Sequence, residues 1–81
     1  MKYTREDIQS VYDEVERRIQ MDIKNGYLTD KDGYIQPETI SEYRDTILQG
    51  VYATFMILSD DWPNVCQMCI EEEESRGWKI I

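Results

Sequence analysis

The amino-acid sequence predicts one small domain of the mainly α class, with α+β as the alternative, built from three helices and a short β-hairpin. Two observations lead to this prediction. Apolar residues recur at the helical spacing of three and four over three long stretches, and two β-favouring segments flank a turn sequence between the first two stretches. A chain of 81 residues has the size of one small domain, so we treat residues 1–81 as a single unit.

The first helix is predicted at about residues 4–24. Thr4 is a favourable N-cap, and Asp7 three residues later completes a pattern close to a capping box. Gly26 supplies the left-handed residue that commonly ends a helix. Between these ends, one helix face carries the apolar residues Ile8, Val11, Tyr12, Val15, Ile19 and Ile23.

A β-hairpin is predicted at about residues 27–36. The turn sequence 30–33 ends in Gly33 and lies between two short arms that contain tyrosines and aliphatic residues. Because an isolated hairpin is marginally stable in water, we expect its Leu28 and Ile35 face to pack on the helices.

The second helix is predicted at about residues 37–58, with Pro37 in its first turn. From Val51 to Leu58 the helix is apolar almost all round, which indicates either the centre of the core or a face shared between core and oligomer interface. Gly50 costs about 1 kcal/mol relative to Ala in a helix interior, so its presence predicts a close approach by another backbone.

The third helix is predicted at about residues 61–76, with Asp61 as N-cap and Gly77 at its end. Its apolar stripe is formed by Trp62, Val65, Cys66, Cys69 and Ile70. The tail at residues 78–81 is too apolar to be left in water without a reason. We expect it to pack on the core or to pair with a second chain.

The sequence offers little for catalysis. It contains no His, the residue most used in general acid–base chemistry, and no phosphate-binding or nucleophile motif. We therefore predict neither an enzyme nor a cofactor. The isolated Cys66-x-x-Cys69 pair lies inside a predicted helix, which favours two small buried residues, while a redox role and a metal site shared between two chains remain open. No metal site is predicted within one chain.

The net charge of −8 restricts the partners. From Asp45 to Ser75 there are seven acidic residues and no Lys or Arg. This charge disfavours direct binding of nucleic acid or an anionic membrane and favours a partner protein with a basic surface. The longest apolar run is too short to span a membrane, and the first residues have no secretory signal. We therefore expect a cytoplasmic protein.

The run Glu71–Glu74 is the strongest functional signal, because it lies in the last turns of a helix, where the dipole makes acidic residues unfavourable. It indicates either a solvated face or a site for a basic partner, with aromatic residues as anchors. The candidate partner-binding residues are Glu71, Glu72, Glu73, Glu74, Trp62 and Trp78. The predicted function is a small acidic protein-binding module, an inhibitor or adaptor. It would dock on a basic surface of a partner protein, and a nucleic-acid-binding surface is one such surface. The alternative is a homo-oligomeric structural or assembly protein, such as a homodimer, without a charged-partner role.

Overall fold

The computed structural model describes residues 2–78 and contains three α-helices in that range. The helices are α1 (Arg5–Lys24), α2 (Pro37–Leu58) and α3 (Trp62–Ser75). Each helix packs against the other two, so the predicted mainly α class and the predicted three helices are confirmed. Within the described residues, no helix is long and apolar enough to cross a membrane.

Both ends of α1 form as the local sequence predicts. The Thr4 hydroxyl accepts a hydrogen bond from the Asp7 amide at 3.2 Å, and the Thr4 amide donates to the Asp7 carboxylate at 2.8 Å. At the other end, Gly26 has a φ of 80°, and the Tyr27 amide donates to the carbonyl of Asp22 at 3.0 Å. This Schellman geometry satisfies helix carbonyls that would otherwise lack donors.

The predicted β-hairpin at residues 27–36 is wrong, because the described chain contains no strand. A tight turn does form, in which the Asp30 amide donates to the carbonyl of Tyr34 at 2.8 Å. The Asp30 side chain then accepts hydrogen bonds from the amides of Asp32 and Tyr34. The arms extend no further as a ladder, and Tyr27 and Tyr34 are 75% and 69% exposed. A two-residue pairing without a third strand is too small to persist.

The core lies along the centre of the three-helix arrangement. Helix α1 provides four of the ten buried apolar side chains within residues 2–78, and of these four Ile8 and Tyr12 are fully buried. The other buried apolar side chains are Val15, Ile19, Leu48, Phe55, Val65, Met68, Cys69 and Trp78. Cys69 is therefore a core residue, whereas Cys66 is half-buried, and both thiols are free. The described residues contain no group of three or more side chains that could hold a metal ion.

The second half of α2 divides into a buried and an exposed side. Leu48 and Phe55 are buried, whereas Ile57 is 75% exposed and Met56 is 56% exposed. The segment is therefore only partly core, and the oligomer interface expected on its other side stays a prediction. A Cβ atom placed on Gly50 would meet no atom of residues 2–78 within 4 Å, the helix's own neighbouring backbone aside, so the predicted close approach by another backbone does not occur within that range.

Candidate protein-binding surfaces

The end of α3 returns the chain to the core. Gly77 has a φ of 73°, and the Trp78 amide donates to the carbonyl of Glu73 at 2.9 Å. This Schellman turn places the Trp78 indole against the ring of Tyr12, with the ring centroids 5.5 Å apart. The Arg44 guanidinium lies 4.8 Å from the centroid of the indole, within the range of a cation–π interaction. Trp78 is consequently only 9% exposed.

Glu73 is the most buried residue of the acidic run, at 3% exposed. One of its carboxylate oxygens accepts a hydrogen bond from the Tyr12 hydroxyl at 2.5 Å and another from the Tyr52 hydroxyl. Tyr12 belongs to α1 and Tyr52 to α2, so this carboxylate joins all three helices. Hydrogen bonds to an ionised acceptor are stronger than neutral ones, and they offset the cost of taking the carboxylate out of water.

Glu72 is also buried, and it belongs to an ion-pair cluster centred on Arg76. The Arg76 guanidinium lies 2.8 Å from the Glu72 carboxylate, 2.7 Å from Asp13 and 3.1 Å from Glu16. Burial alone lowers the pKa of Arg76, but the hydrogen bonds to Asp13 and Glu72 and the charge of Glu16 outweigh it and raise the pKa. The cluster therefore ties the end of α3 to α1 through a permanently charged group.

The two remaining glutamates are closer to solvent. Glu71 forms an ion pair of 2.6 Å with Arg5, and this hydrogen bond holds the pKa of Glu71 below its ordinary value. Glu74 is exposed and forms no ion pair with any residue in the range 2–78. Arg76 is therefore not the only group that stabilises the carboxylates of the acidic run. Arg5 pairs with Glu71, and Tyr12 and Tyr52 donate hydrogen bonds to Glu73.

The structure brings together most of the residues predicted to bind a partner, but it turns several of them inward. Glu72, Glu73 and Trp78 are each less than a tenth exposed and contact residues of their own chain, so they present little surface to a partner. Trp62 is half-buried and packs against the core. A partner-binding role for the full set stays a prediction; Glu74 is its exposed member, and Glu71 is half-buried.

The buried cluster around Glu73 predicts a loss of stability at alkaline pH. Burial, with the charge of Glu73 adding to it, raises the pKa of the Cys69 thiol from 9.0 to about 11. Burial and the hydrogen bond to Glu73 raise the pKa of Tyr12 further. At alkaline pH the Cys69 thiol and the Tyr12 hydroxyl stay neutral in the folded chain but ionise in the unfolded chain. Their contribution to the free energy of unfolding is therefore complete below pH 9 and is lost as the pH rises above 9.

We expect the free energy of unfolding to fall between pH 9 and pH 11 by on the order of 2 kcal/mol for Cys69 alone. Urea unfolding at a series of pH values would measure this slope. The Cys69→Ala variant should start from a lower stability but show a shallower decline over the same range. An identical slope in both proteins would contradict the assignment.

The outer side of α2 carries an acidic stripe that remains uncompensated. Glu38, Glu42 and Asp45 are spaced by four and three residues, which places them on one side of the helix. Glu38 and Glu42 are exposed and Asp45 is half-buried, and none of the three forms an ion pair within the part of the chain that the structure describes. The sequence signal for this stripe is the helical spacing from Glu38 to Glu42 and Asp45, which is missed when Asp45 is grouped with the acidic residues that follow it in the chain.

Comparison with known proteins does not assign this chain to a family. The fold and surface of the described residues define a three-helix acidic protein. No protein family, curated protein or solved structure matches the chain. The argument for function therefore rests on the physical properties of its own surface.

Proposed function

We propose that this chain is a small acidic protein-binding module, an inhibitor or adaptor, that docks on the basic surface of a partner protein. The contact is made by the acidic stripe of α2, which is formed by Glu38, Glu42 and Asp45. The observation that supports this proposal is the position of the stripe: it lies on the outer side of α2, is regular in spacing and forms no ion pair with residues 2–78. The proposal involves no catalytic step, in keeping with the absence of His.

The electrostatics favour a cationic partner. The chain has a formal net charge of −8, and four of its cationic side chains already pair with its own carboxylates. These are Arg5, Arg17, Arg18 and Arg76. Within residues 2–78 the carboxylates of Glu38, Glu42 and Asp45 form no ion pair, so their field extends into solvent and favours association with a basic surface. A protein whose own ligand is nucleic acid has a surface of this kind.

The two cysteines support a proposal for the cellular compartment. Cys66 and Cys69 are both free thiols, a state that is maintained in reducing compartments. We place the module in the cytoplasm on this basis, together with its partner.

The proposal is tested by charge reversal on α2. The wild-type chain is used as bait in extract of the native cell, captured proteins are identified by mass spectrometry, and association rates are then measured with the purified partner. We expect a partner with a basic surface whose association slows as salt rises. In the Glu38→Lys/Glu42→Lys double variant, the association rate at low salt should fall by at least about tenfold, because steering of this kind changes rates by 10 to 1,000 times.

A matched control separates local from global charge. The Glu6→Lys/Asp32→Lys double variant changes the net charge by the same amount at exposed positions on α1 and in the turn between α1 and α2, and its association rate should fall much less. An equal loss in both variants would contradict the assignment to α2. An association rate that is unchanged in both variants and does not depend on salt would contradict the proposed function.

A further inference from the structure

We propose that the second half of α2 also forms a self-pairing surface, which binds the same surface of a second copy of the chain in antiparallel orientation. The two-fold axis would pass close to Ala53 and Thr54. This inference goes beyond the proposed function and uses different residues, so either can fail without the other.

The self-pairing surface is apolar and free of charge. Met56, Ile57 and Leu58 are exposed by 56%, 75% and 46%, and they follow one another at the end of the helix. From Thr46 to Ser59 the sequence contains no charged residue, although the chain as a whole is strongly acidic. Consecutive helix residues point about 100° apart, so Ile57 lies on the side of Gly50 and Met56 and Leu58 flank it. Exposed apolar side chains grouped in this way are typical of an interaction site.

The surface contains both a notch and a ridge. The notch lies at Gly50, where a Cβ atom would meet nothing within 4 Å. It opens into a cavity of about 420 Å³ whose walls are Val11, Ile47, Gly50, Val51, Thr54 and Phe55. The ridge is the exposed Ile57 side chain. Residues 50 and 57 are two turns apart and lie on the same side of the helix.

The notch and ridge complement each other across a two-fold axis. Their midpoint falls between Ala53 and Thr54, so an antiparallel copy centred there places Ile57 of each chain against Gly50 of the other. Such a contact is isologous, because each chain contributes both halves of the same surface. This arrangement explains the glycine within α2, since the close backbone approach that it permits would occur between chains.

Charge favours a second copy over a basic protein at this site. Lys or Arg side chains brought against Met56 and Ile57 would lose hydration without gaining an ion pair, which is unfavourable. In the self-pair, apolar groups meet apolar groups. In this antiparallel pair, position 49 of one chain faces Leu58, the last residue of α2, in the other. Residues before position 49, including the acidic stripe at residues 38–45, therefore lie outside the paired segment.

The size of the surface predicts a weak dimer. The segment from Gly50 to Leu58 is about 13 Å long in a helix, and it provides less than the ~800 Å² per partner that stable complexes bury. The two acidic bodies also repel each other at low ionic strength. Raising salt screens this repulsion, so self-pairing should strengthen with salt, whereas binding of a basic partner should weaken.

Sedimentation equilibrium of the intact chain tests the inference, at concentrations from about 10 µM to 1 mM, the range suited to weak complexes, and at low and high salt. The wild type should change from monomer toward dimer as concentration rises, with a smaller dissociation constant at high salt. Ile57→Glu should raise the dissociation constant by at least about tenfold. Tyr27→Glu introduces the same charge at a side chain of the same 75% exposure and should change it by less than about twofold at high salt, where distant charges are screened.

A second variant separates pairing from folding. Gly50→Ala should raise the melting temperature of the monomer, because Ala is the better helix former and its Cβ meets no neighbour in the chain. The same change narrows the notch and should weaken the dimer several-fold. The inference is overturned by a monomer at all concentrations, by dimerisation that weakens with salt, or by equal effects of Ile57→Glu and Tyr27→Glu.

Discussion

Replacing Arg76 with Met is expected to lower the free energy of unfolding by about 3 kcal/mol. The side chain is 15% exposed and pairs with Asp13, Glu16 and Glu72. Met keeps much of the apolar stem but removes the cation, so Glu72 remains buried at 8% exposed without its partner. Removing one member of a buried pair leaves the desolvation cost of the other uncompensated.

Arg17→Met is the matched control for this prediction. Arg17 pairs with Glu14, but both side chains are more than half exposed, and exposed pairs contribute between 0 and about 1 kcal/mol. Urea unfolding followed by circular dichroism would compare both variants with the wild type. Equal and small losses would contradict a structural role for the Arg76 cluster.

Trp78→Ala is expected to destabilise the fold by about 3–5 kcal/mol, the range observed for large aromatic residues in cores. The change removes the buried indole, its stacking on Tyr12 and its contact with the Arg44 guanidinium. Since small domains have a total stability of about 5–15 kcal/mol, the variant should lose a large part of its free energy of unfolding, and its melting temperature should fall strongly. Thermal unfolding would measure the loss.

Trp62→Ala provides the comparison, because Trp62 is the same residue type but only half-buried at the edge of the core. Its destabilisation should be clearly smaller. If the Trp78 variant instead keeps its stability and loses only partner binding, the indole is an interface anchor and its assignment to the core is wrong.

Most of the helical architecture is predictable because its signals are local. The Thr4 and Asp7 capping box, Pro37 in the first turn of α2 and the left-handed Gly26 and Gly77 all act within a few residues of the chain. Apolar spacing then indicates which side of each helix is buried. Such signals place the three helices close to their observed ends.

The hairpin prediction fails for a tertiary reason. The turn chemistry at Asp30 and Gly33 is correct, and the turn forms. A ladder, however, needs a further strand or a helical surface under it, and neither condition is encoded in the ten residues of the segment. The side chain of Asp30 accepts two backbone amides, which is the competing local structure expected of an aspartate in a turn.

The acidic run shows where a single sequence stops being informative. Its conflict with the helix dipole is visible, but the partners that resolve it come from distant positions. Tyr12 lies 61 residues from Glu73, and Arg5 lies 66 residues from Glu71. Because these contacts depend on how the helices pack, the same pattern predicted an exposed binding site. Among the described residues, carboxylates without an ion pair are found at Glu74 and on α2, at Glu38, Glu42 and Asp45.

The buried part of the acidic run stabilises the fold through the contacts of Glu73 with Tyr12 and Tyr52 and of Glu72 with Arg76. A double-mutant cycle with Arg76→Met and Glu72→Gln tests this claim most directly, because it isolates the coupling between the two side chains. Unfolding free energies of the four proteins should give a coupling of about 1–3 kcal/mol, within the range for directly contacting groups. Additivity within about 0.5 kcal/mol, as found for independent sites, would contradict the account.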